Sequence, residues 1–156
     1  MAQLDEIDAI KRLKYKYFRT LDTKKWDEMA ECFAEDAKTS YSGGKYSFEG
    51  RDTIMSFLKK GLGPHMISMH QGHHPEIELT SDTTATGIWA LQDYVIDLKR
   101  NTSLFGAAFY QDEYVKVNGE WKIKFTGYER TFEEVYDRGD IKSLKLTQQM
   151  FRLSDQ

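Results

Sequence analysis

The sequence has a single cysteine, Cys32, and this scarcity excludes an intramolecular disulfide. Cys32 lies between Met29 and Phe33 in an apolar helical pattern, which favours a small reduced core residue over a nucleophile. No stretch approaches the length of a transmembrane helix, and the polar, acidic N-terminal residues resemble no signal or transit peptide. We therefore expect a cytoplasmic protein that has no membrane partner.

Basic charge is also sparse. The chain has 22 Lys and Arg against 25 Asp and Glu, which gives a formal net charge of −3. The basic residues form pairs, such as Lys24-Lys25 and Lys59-Lys60, and no continuous stripe. Because binding to the phosphate backbone requires a basic surface, we expect no nucleic-acid partner.

The chain does contain enough apolar side chain for one core, since 40% of its 156 residues are hydrophobic and 13% are aromatic. We expect a single domain over residues 1–156, with a core at about 5–130 and a C-terminal tail at 131–156. An apolar stripe with steps of three and four predicts a first helix ending near Asp22. Trp26, Met29, Ala30 and Phe33 predict a second helix, and a third begins after Gly50 and ends at Gly61.

Strand patterns dominate the rest of the chain. We predict a hairpin over 38–49 and strands at 65–79, 83–99, 104–117 and 120–129, the last two joined through Asn118-Gly119. The tail from Phe132 has an ambiguous pattern, because Phe132, Val135 and Tyr136 have helical spacing. The order of elements predicts the α+β class, with N-terminal helices over a curved, mostly antiparallel sheet that encloses a cone-shaped pocket.

A set of short motifs, in this order, resembles the nuclear transport factor 2-like superfamily and in particular its SnoaL-like branch. The resemblance covers about residues 5–130 and implies the fold, whereas the activity varies within the superfamily. The motifs are Tyr17 through Leu21-Asp22-Thr23 and Trp26, Cys32-Phe33-Ala34-Glu35-Asp36-Ala37, Phe48-Glu49-Gly50-Arg51-Asp52-Thr53-Ile54, His70-Gln71-Gly72-His73-His74, Ala85-Thr86-Gly87-Ile88-Trp89, Tyr110 through Tyr114, and Gly119-Glu120-Trp121-Lys122-Ile123.

The polar residues are most similar to those of scytalone dehydratase, bile acid 7α-dehydratase and lindane dehydrochlorinase, which are cofactor-free lyases built around a histidine–aspartate pair. The resemblance gives the histidine role to His70 and the aspartate role to Asp22. It also implies site roles for Tyr17, Tyr41, Asp93 and Arg130. Scytalone dehydratase has a second active-site histidine on a later strand, but this chain has no histidine after His74.

Several of these positions also have a structural interpretation. Asp22 could simply cap the second helix. Tyr17 continues the apolar stripe of the first helix, so core packing alone would explain it. Asp93 shares the apolar alternation of Trp89 and Leu91, where a carboxylate is costly unless it is paired or functional.

Two further residue sets leave alternatives open. Three of the four histidines lie at positions 70, 73 and 74, but no clustered carboxylate or cysteine completes a metal site, so we expect no metal. His73 and His74 are expected at a bulge or a subunit contact. Arg130 falls on the opposite alternation from Trp121 and Ile123, so either a bulge near Gly127 resets the strand or Arg130 faces away from the pocket.

These residues predict a lyase, most simply a dehydratase, that acts on a hydrophobic cyclic molecule such as a steroid or polyketide. His70 would be the base, with Asp22, Tyr17, Tyr41 and Asp93 assisting, and Arg130, Trp89, Leu91 and Phe57 would bind the substrate. The alternatives are an isomerase or cyclase with Asp93 as base, a non-catalytic binding domain, and a small subunit of an oxygenase. Aromatic residues on the outer sheet face, including Tyr94, Phe109 and Tyr114 depending on register, predict a homodimer or higher homo-oligomer.

Overall fold

Three helices and a six-stranded sheet make up the computed structural model, which describes residues 2–151. Strand order is β2-β1-β6-β5-β4-β3, and every neighbouring pair is antiparallel except β1 with β6. The predicted α+β class, with helices over a curved and mostly antiparallel sheet, is confirmed. The elements are α1 (Ala2–Asp22), α2 (Trp26–Ala30), β1 (Phe33–Tyr41), β2 (Tyr46–Glu49), α3 (Arg51–Gly61), β3 (Met66–Leu79), β4 (Thr84–Asp97), β5 (Thr102–Val117), β6 (Glu120–Asp137) and a 3-10 turn (Arg138–Asp140).

Helix α1 lies against the inner face of the sheet and contacts β3 most closely. Its buried stripe runs through Ile10, Tyr17 and Leu21, as the periodicity predicts. Gly72 on β3 permits this close approach, because a Cβ added there would lie 2.4 Å from a ring carbon of Phe18. Since α1 ends at Asp22, this packing fixes the position of the Asp22 carboxylate above β3.

The predicted boundaries change in two places. Phe33 does not extend the second helix but begins β1, where it pairs with Ile123 of β6. The segment from Phe132 continues β6 to Asp137 and pairs with β5 throughout, so its helical spacing does not produce a helix. Both changes show long-range strand pairing overriding a local pattern. The two predicted hairpins are present, at Lys38–Glu49 and through Asn118-Gly119.

A bulge in β6 sets the orientation of Arg130. The register with β5 passes from Phe125 to Ile123 across consecutive β5 residues, which leaves Lys124 as an extra residue. Without the bulge, Tyr128 and Arg130 would lie on the opposite face of β6 from Trp121 and Ile123. The bulge reverses the alternation, so all four side chains face inward. A second bulge at Thr131 reverses it again. Arg130 therefore reaches the pocket. The bulge that allows this lies at Lys124, three residues before Gly127, near which the sequence predicts it.

The outer face of the sheet carries apolar side chains, but not all of those predicted. Tyr114 is buried on the inner face, because it shares the alternation of Tyr110 and Asp112. Exposed on the described outer face are Met69, Phe109, Phe132 and Tyr136. No helix within residues 2–151 is both long enough and apolar enough to span a membrane.

Candidate active site

A cavity of about 970 Å³ lies between the inner sheet face and the ends of α1 and α3. This is near the upper end of the usual range for small-molecule sites. Its polar lining includes His70, Asp93 and Arg130, together with five tyrosines. The apolar lining includes Leu21, Phe57, Leu58, Leu62, Met66, Val95, Leu104 and Val135.

His70 and Asp22 form a hydrogen-bonded pair at the edge of this cavity. The His70 Nδ1 atom lies 2.7 Å from Asp22 Oδ1. The other carboxylate oxygen accepts the backbone N–H of His70 at 2.7 Å, and the Ser68 hydroxyl donates to Oδ1 at 2.8 Å. Because a carboxylate accepts hydrogen bonds, the neutral imidazole in this contact has its proton on Nδ1 and its free lone pair on Nε2. His70 can therefore accept a proton from a molecule in the cavity.

The alternative role of Asp22 as a helix cap does not match this geometry. The residue at the N-terminus of α2 is Lys25, and no side chain caps that helix. Both carboxylate oxygens of Asp22 are occupied by β3 instead. Asp22 thus fixes the imidazole ring relative to the strand and holds one tautomer.

Four phenols form a continuous layer at the inner end of the cavity. The hydroxyls of Tyr17 and Tyr41 lie 3.0 Å apart, and Tyr110 and Tyr128 line the same wall. Burial raises the pKa of Tyr17, Tyr41 and Tyr110 well above the ordinary tyrosine value. Near neutral pH these hydroxyls therefore remain protonated and can donate hydrogen bonds. The sequence prediction included Tyr17 and Tyr41 but omitted the other two.

Asp93 faces the same cavity and is paired with Arg130. Two guanidinium nitrogens contact the two carboxylate oxygens, at 2.5 Å and 2.9 Å. Only 2% of Asp93 is exposed. Burial opposes the charge on Arg130, but the hydrogen bonds and charge of Asp93 outweigh it and raise the pKa of Arg130. Gly106 leaves room for this pair, because a Cβ there would lie 2.2 Å from Arg130 Nη1.

His70 and Asp93 are direct neighbours on adjacent strands. His70 of β3 pairs with Asp93 of β4, so both side chains project from the same face of the sheet. The structure therefore places the Asp22–His70 pair beside the Asp93–Arg130 pair on one cavity wall. The cavity also receives Phe57 of the predicted substrate-binding residues, which stacks on Phe48 with ring centroids 4.3 Å apart.

Trp89 and Leu91 lie in the core and do not line the cavity. The indole N–H of Trp89 donates to the Tyr114 hydroxyl at 3.0 Å, and only 1% of Trp89 is exposed. They share the face of Asp93, as the alternation predicts, but lie nearer the start of β4, where Phe18 of α1 packs against Trp89. Sequence alternation identifies the face of a strand but not how far along it the cavity extends.

The remaining histidines lie away from this wall. His73 and His74 stand at a bulge of β3, where His74 has a φ of 32°. Within residues 2–151, no three His, Cys, Asp or Glu side chains come together as a possible metal site. Cys32 is fully buried, and burial raises the pKa of its thiol to about 11.

The chain is similar to one protein family and to several solved structures. Residues 2–126 match the sequence profile of the family described as "SnoaL-like domain". An uncharacterised protein of Mycobacterium tuberculosis is 24% identical over 126 residues, covering 79% of this chain and 84% of that protein. Among solved structures, a scytalone dehydratase candidate from Novosphingobium aromaticivorans is 28% identical with a TM-score of 0.80, covering 86% of this chain and 89% of the other.

Two further solved structures share the fold at lower identity. A hexachlorocyclohexane dehydrochlorinase from Novosphingobium barchaimii is 20% identical with a TM-score of 0.78, covering 86% of this chain and 92% of the other. The ActVI-ORFA protein of Streptomyces coelicolor is 15% identical with a TM-score of 0.69, covering 81% of this chain and 98% of the other. At these identities the likeness concerns the fold alone.

Proposed function

The chain belongs to the SnoaL-like domain family, and from that premise we propose that it is a cofactor-independent lyase of the dehydratase type. Its substrate would be a hydrophobic cyclic molecule such as a steroid or polyketide. The observation that carries this proposal is the 2.7 Å contact between His70 Nδ1 and Asp22 at a cavity of about 970 Å³. The likeness to a scytalone dehydratase candidate supports the reaction class.

In the proposed reaction, Nε2 of His70 takes a proton from a carbon next to a carbonyl group. Asp22 stabilises the resulting imidazolium, and the Tyr17 and Tyr41 hydroxyls stabilise the negative charge that develops on the carbonyl oxygen. The hydroxyl group on the next carbon then leaves with a proton from the imidazolium, which gives water and a conjugated double bond. His70 returns to its neutral form, so the cycle balances. The Asp93–Arg130 pair would orient the leaving hydroxyl.

The isomerase or cyclase alternative requires Asp93 as the base. Both oxygens of Asp93 already accept hydrogen bonds from Arg130, whereas Nε2 of His70 is not used by the contact with Asp22. This favours His70 as the base. In the alternative, Asp93→Asn would abolish activity and His70→Ala would retain it.

A test of the reaction uses a panel of cyclic β-hydroxy ketones. Loss of water forms a conjugated enone, which is followed by its ultraviolet absorbance. We expect turnover by the native protein and a loss of at least ~10²-fold in kcat for His70→Ala, with an unchanged circular dichroism spectrum. The matched control is His74→Ala at the bulge of β3. Turnover by His70→Ala at the native rate would refute the proposal.

The binding-domain alternative predicts a different result with the same panel. A ligand would raise the melting temperature but be recovered unchanged, and His70→Ala would have no effect on any chemical conversion. Turnover of any panel member that depends on His70 would exclude this alternative.

We also propose that the chain forms a homodimer or higher homo-oligomer through its outer sheet face. Phe109 and Phe132 are about half exposed there, at 48% and 47%, and Met69 on the same face is 43% exposed. Light scattering with size-exclusion chromatography would give the mass, and Phe109→Lys should produce a monomer. A monomeric native protein would contradict this, and would suit the oxygenase-subunit alternative better. We further propose a cytoplasmic location, where a free thiol such as Cys32 would stay reduced.

A further inference from the structure

A buried ion pair lies directly beneath the phenol layer of the cavity. Lys14 Nζ is 2.7 Å from Asp112 Oδ2, and neither side chain is exposed to solvent. Asp112 also accepts hydrogen bonds from the hydroxyls of Tyr114 at 2.6 Å and Thr126 at 2.7 Å. The proposed reaction uses neither charge, and neither residue lines the cavity.

The ammonium group of Lys14 also contacts the ring faces of two cavity tyrosines. Nζ lies 3.7 Å from the ring centroid of Tyr110 and 4.5 Å from that of Tyr17. Lys14 precedes Tyr17 by one helical turn, and Asp112 follows Tyr110 by two residues on the same strand face. The ion pair thus lies directly below the tyrosine side chains that line the cavity.

A buried pair of this kind is a weak source of stability. Removing two charges from water is costly, and neutral side chains of similar volume often give equal or greater stability. The position of the ammonium group offers a function instead. A cation on the face of an aromatic ring attracts its electrons, so the phenol hydrogen becomes more positive and a stronger hydrogen-bond donor.

We propose that Lys14 is a positioning residue that acts through Tyr17 and Tyr110, making the cavity selective for a ligand oxygen that carries negative charge. This deepens the proposed function and rests on it, because that oxygen would be the enolate oxygen formed when His70 removes a proton. Asp112 holds the ammonium group in place and acts in the opposite direction on the phenols. Because the charge of Asp112 raises the pKa of both phenols, the inference requires the effect of the cation, whose Nζ contacts both ring faces, to be the larger one.

The test uses 2-naphthol ligands, whose ionised form carries the charged oxygen on a bicyclic frame. Electron-withdrawing substituents give a series that is ionised at pH 7, and the matching methyl ethers cannot ionise. Binding is followed by fluorescence in the native protein and in Lys14→Met/Asp112→Asn, which removes both charges but keeps an acceptor for Thr126. The control is Glu6→Gln/Lys116→Met, which removes the 2.6 Å ion pair between α1 and β5 at the far end of the helix.

The native protein should bind each naphtholate more tightly than its methyl ether. In Lys14→Met/Asp112→Asn this preference should fall about tenfold, equivalent to ~1.4 kcal/mol, while the ether binds within about twofold of native. The control should keep the native preference. A purely structural role would weaken both ligands equally.

Two results would overturn the inference. If the variant without the ion pair keeps or increases the naphtholate preference, the charge of Lys14 does not outweigh that of Asp112 and the inference fails, yet the proposed dehydratase can still stand. If the native protein binds ether and naphtholate equally, the cavity has no site for a charged oxygen, and the roles of Tyr17 and Tyr41 in the proposed function fail as well.

Discussion

Arg130→Met tests the energetic importance of the ion pair in the cavity wall. Asp93 is 2% exposed, and in the described part of the chain Arg130 is the only hydrogen-bond partner of its carboxylate, through contacts of 2.5 Å and 2.9 Å. The substitution removes both contacts and leaves a carboxylate without a counterion. Breaking a buried pair in this way costs roughly 3–5 kcal/mol. We expect about 3 kcal/mol, the lower value, because the shorter side chain admits water from the cavity.

Urea unfolding gives the free energy of unfolding for this comparison. The matched variant is Asp93→Leu/Arg130→Met, which removes both charges and should recover most of the loss. A loss below about 0.5 kcal/mol would refute the reasoning, since it is the size expected for an ordinary surface substitution.

Other predictions follow from burial and close packing. Since the pKa of Cys32 is about 11, iodoacetamide at pH 8 should modify it slowly until urea unfolds the chain; equal rates in both states would contradict this. Gly72→Ala should lower the free energy of unfolding by about 1–3 kcal/mol because of its 2.4 Å clash with Phe18, whereas Gly61→Ala, with nothing within 4 Å, should not. Tyr17→Phe should lower kcat by about 10²-fold in the enone assay; a native kcat would remove Tyr17 from the mechanism.

The part of the site on regular elements could be predicted from the sequence. The alternation of β4 predicts that Asp93 faces inward, and the periodicity of α1 places Tyr17 on the buried face. The resemblance to the SnoaL-like branch supplied the pairing of Asp22 with His70. Local pattern alone does not bring together residues that are 48 positions apart.

The positions of Arg130 and of the Lys14–Asp112 pair depended on strand irregularities and on long-range pairing. Arg130 enters the cavity only because of the bulge at Lys124, and the sequence has no clear signal for its position. Lys14 lies on the apolar stripe of α1, a visible anomaly, but its partner Asp112 is 98 positions away. Such contacts follow from the register of β5 and β6, which is set by the whole sheet.

The central claim is that His70 removes a proton from a carbon next to a carbonyl group. The most direct measurement is deuterium exchange into the α-position of α-tetralone, a bicyclic ketone, followed by proton NMR in D₂O. The native protein should accelerate exchange over buffer, and His70→Ala should lose this acceleration by at least ~10²-fold while keeping its fold. Native-rate exchange by His70→Ala, with the acceleration lost instead in Asp93→Asn, would contradict the account and assign the base to Asp93.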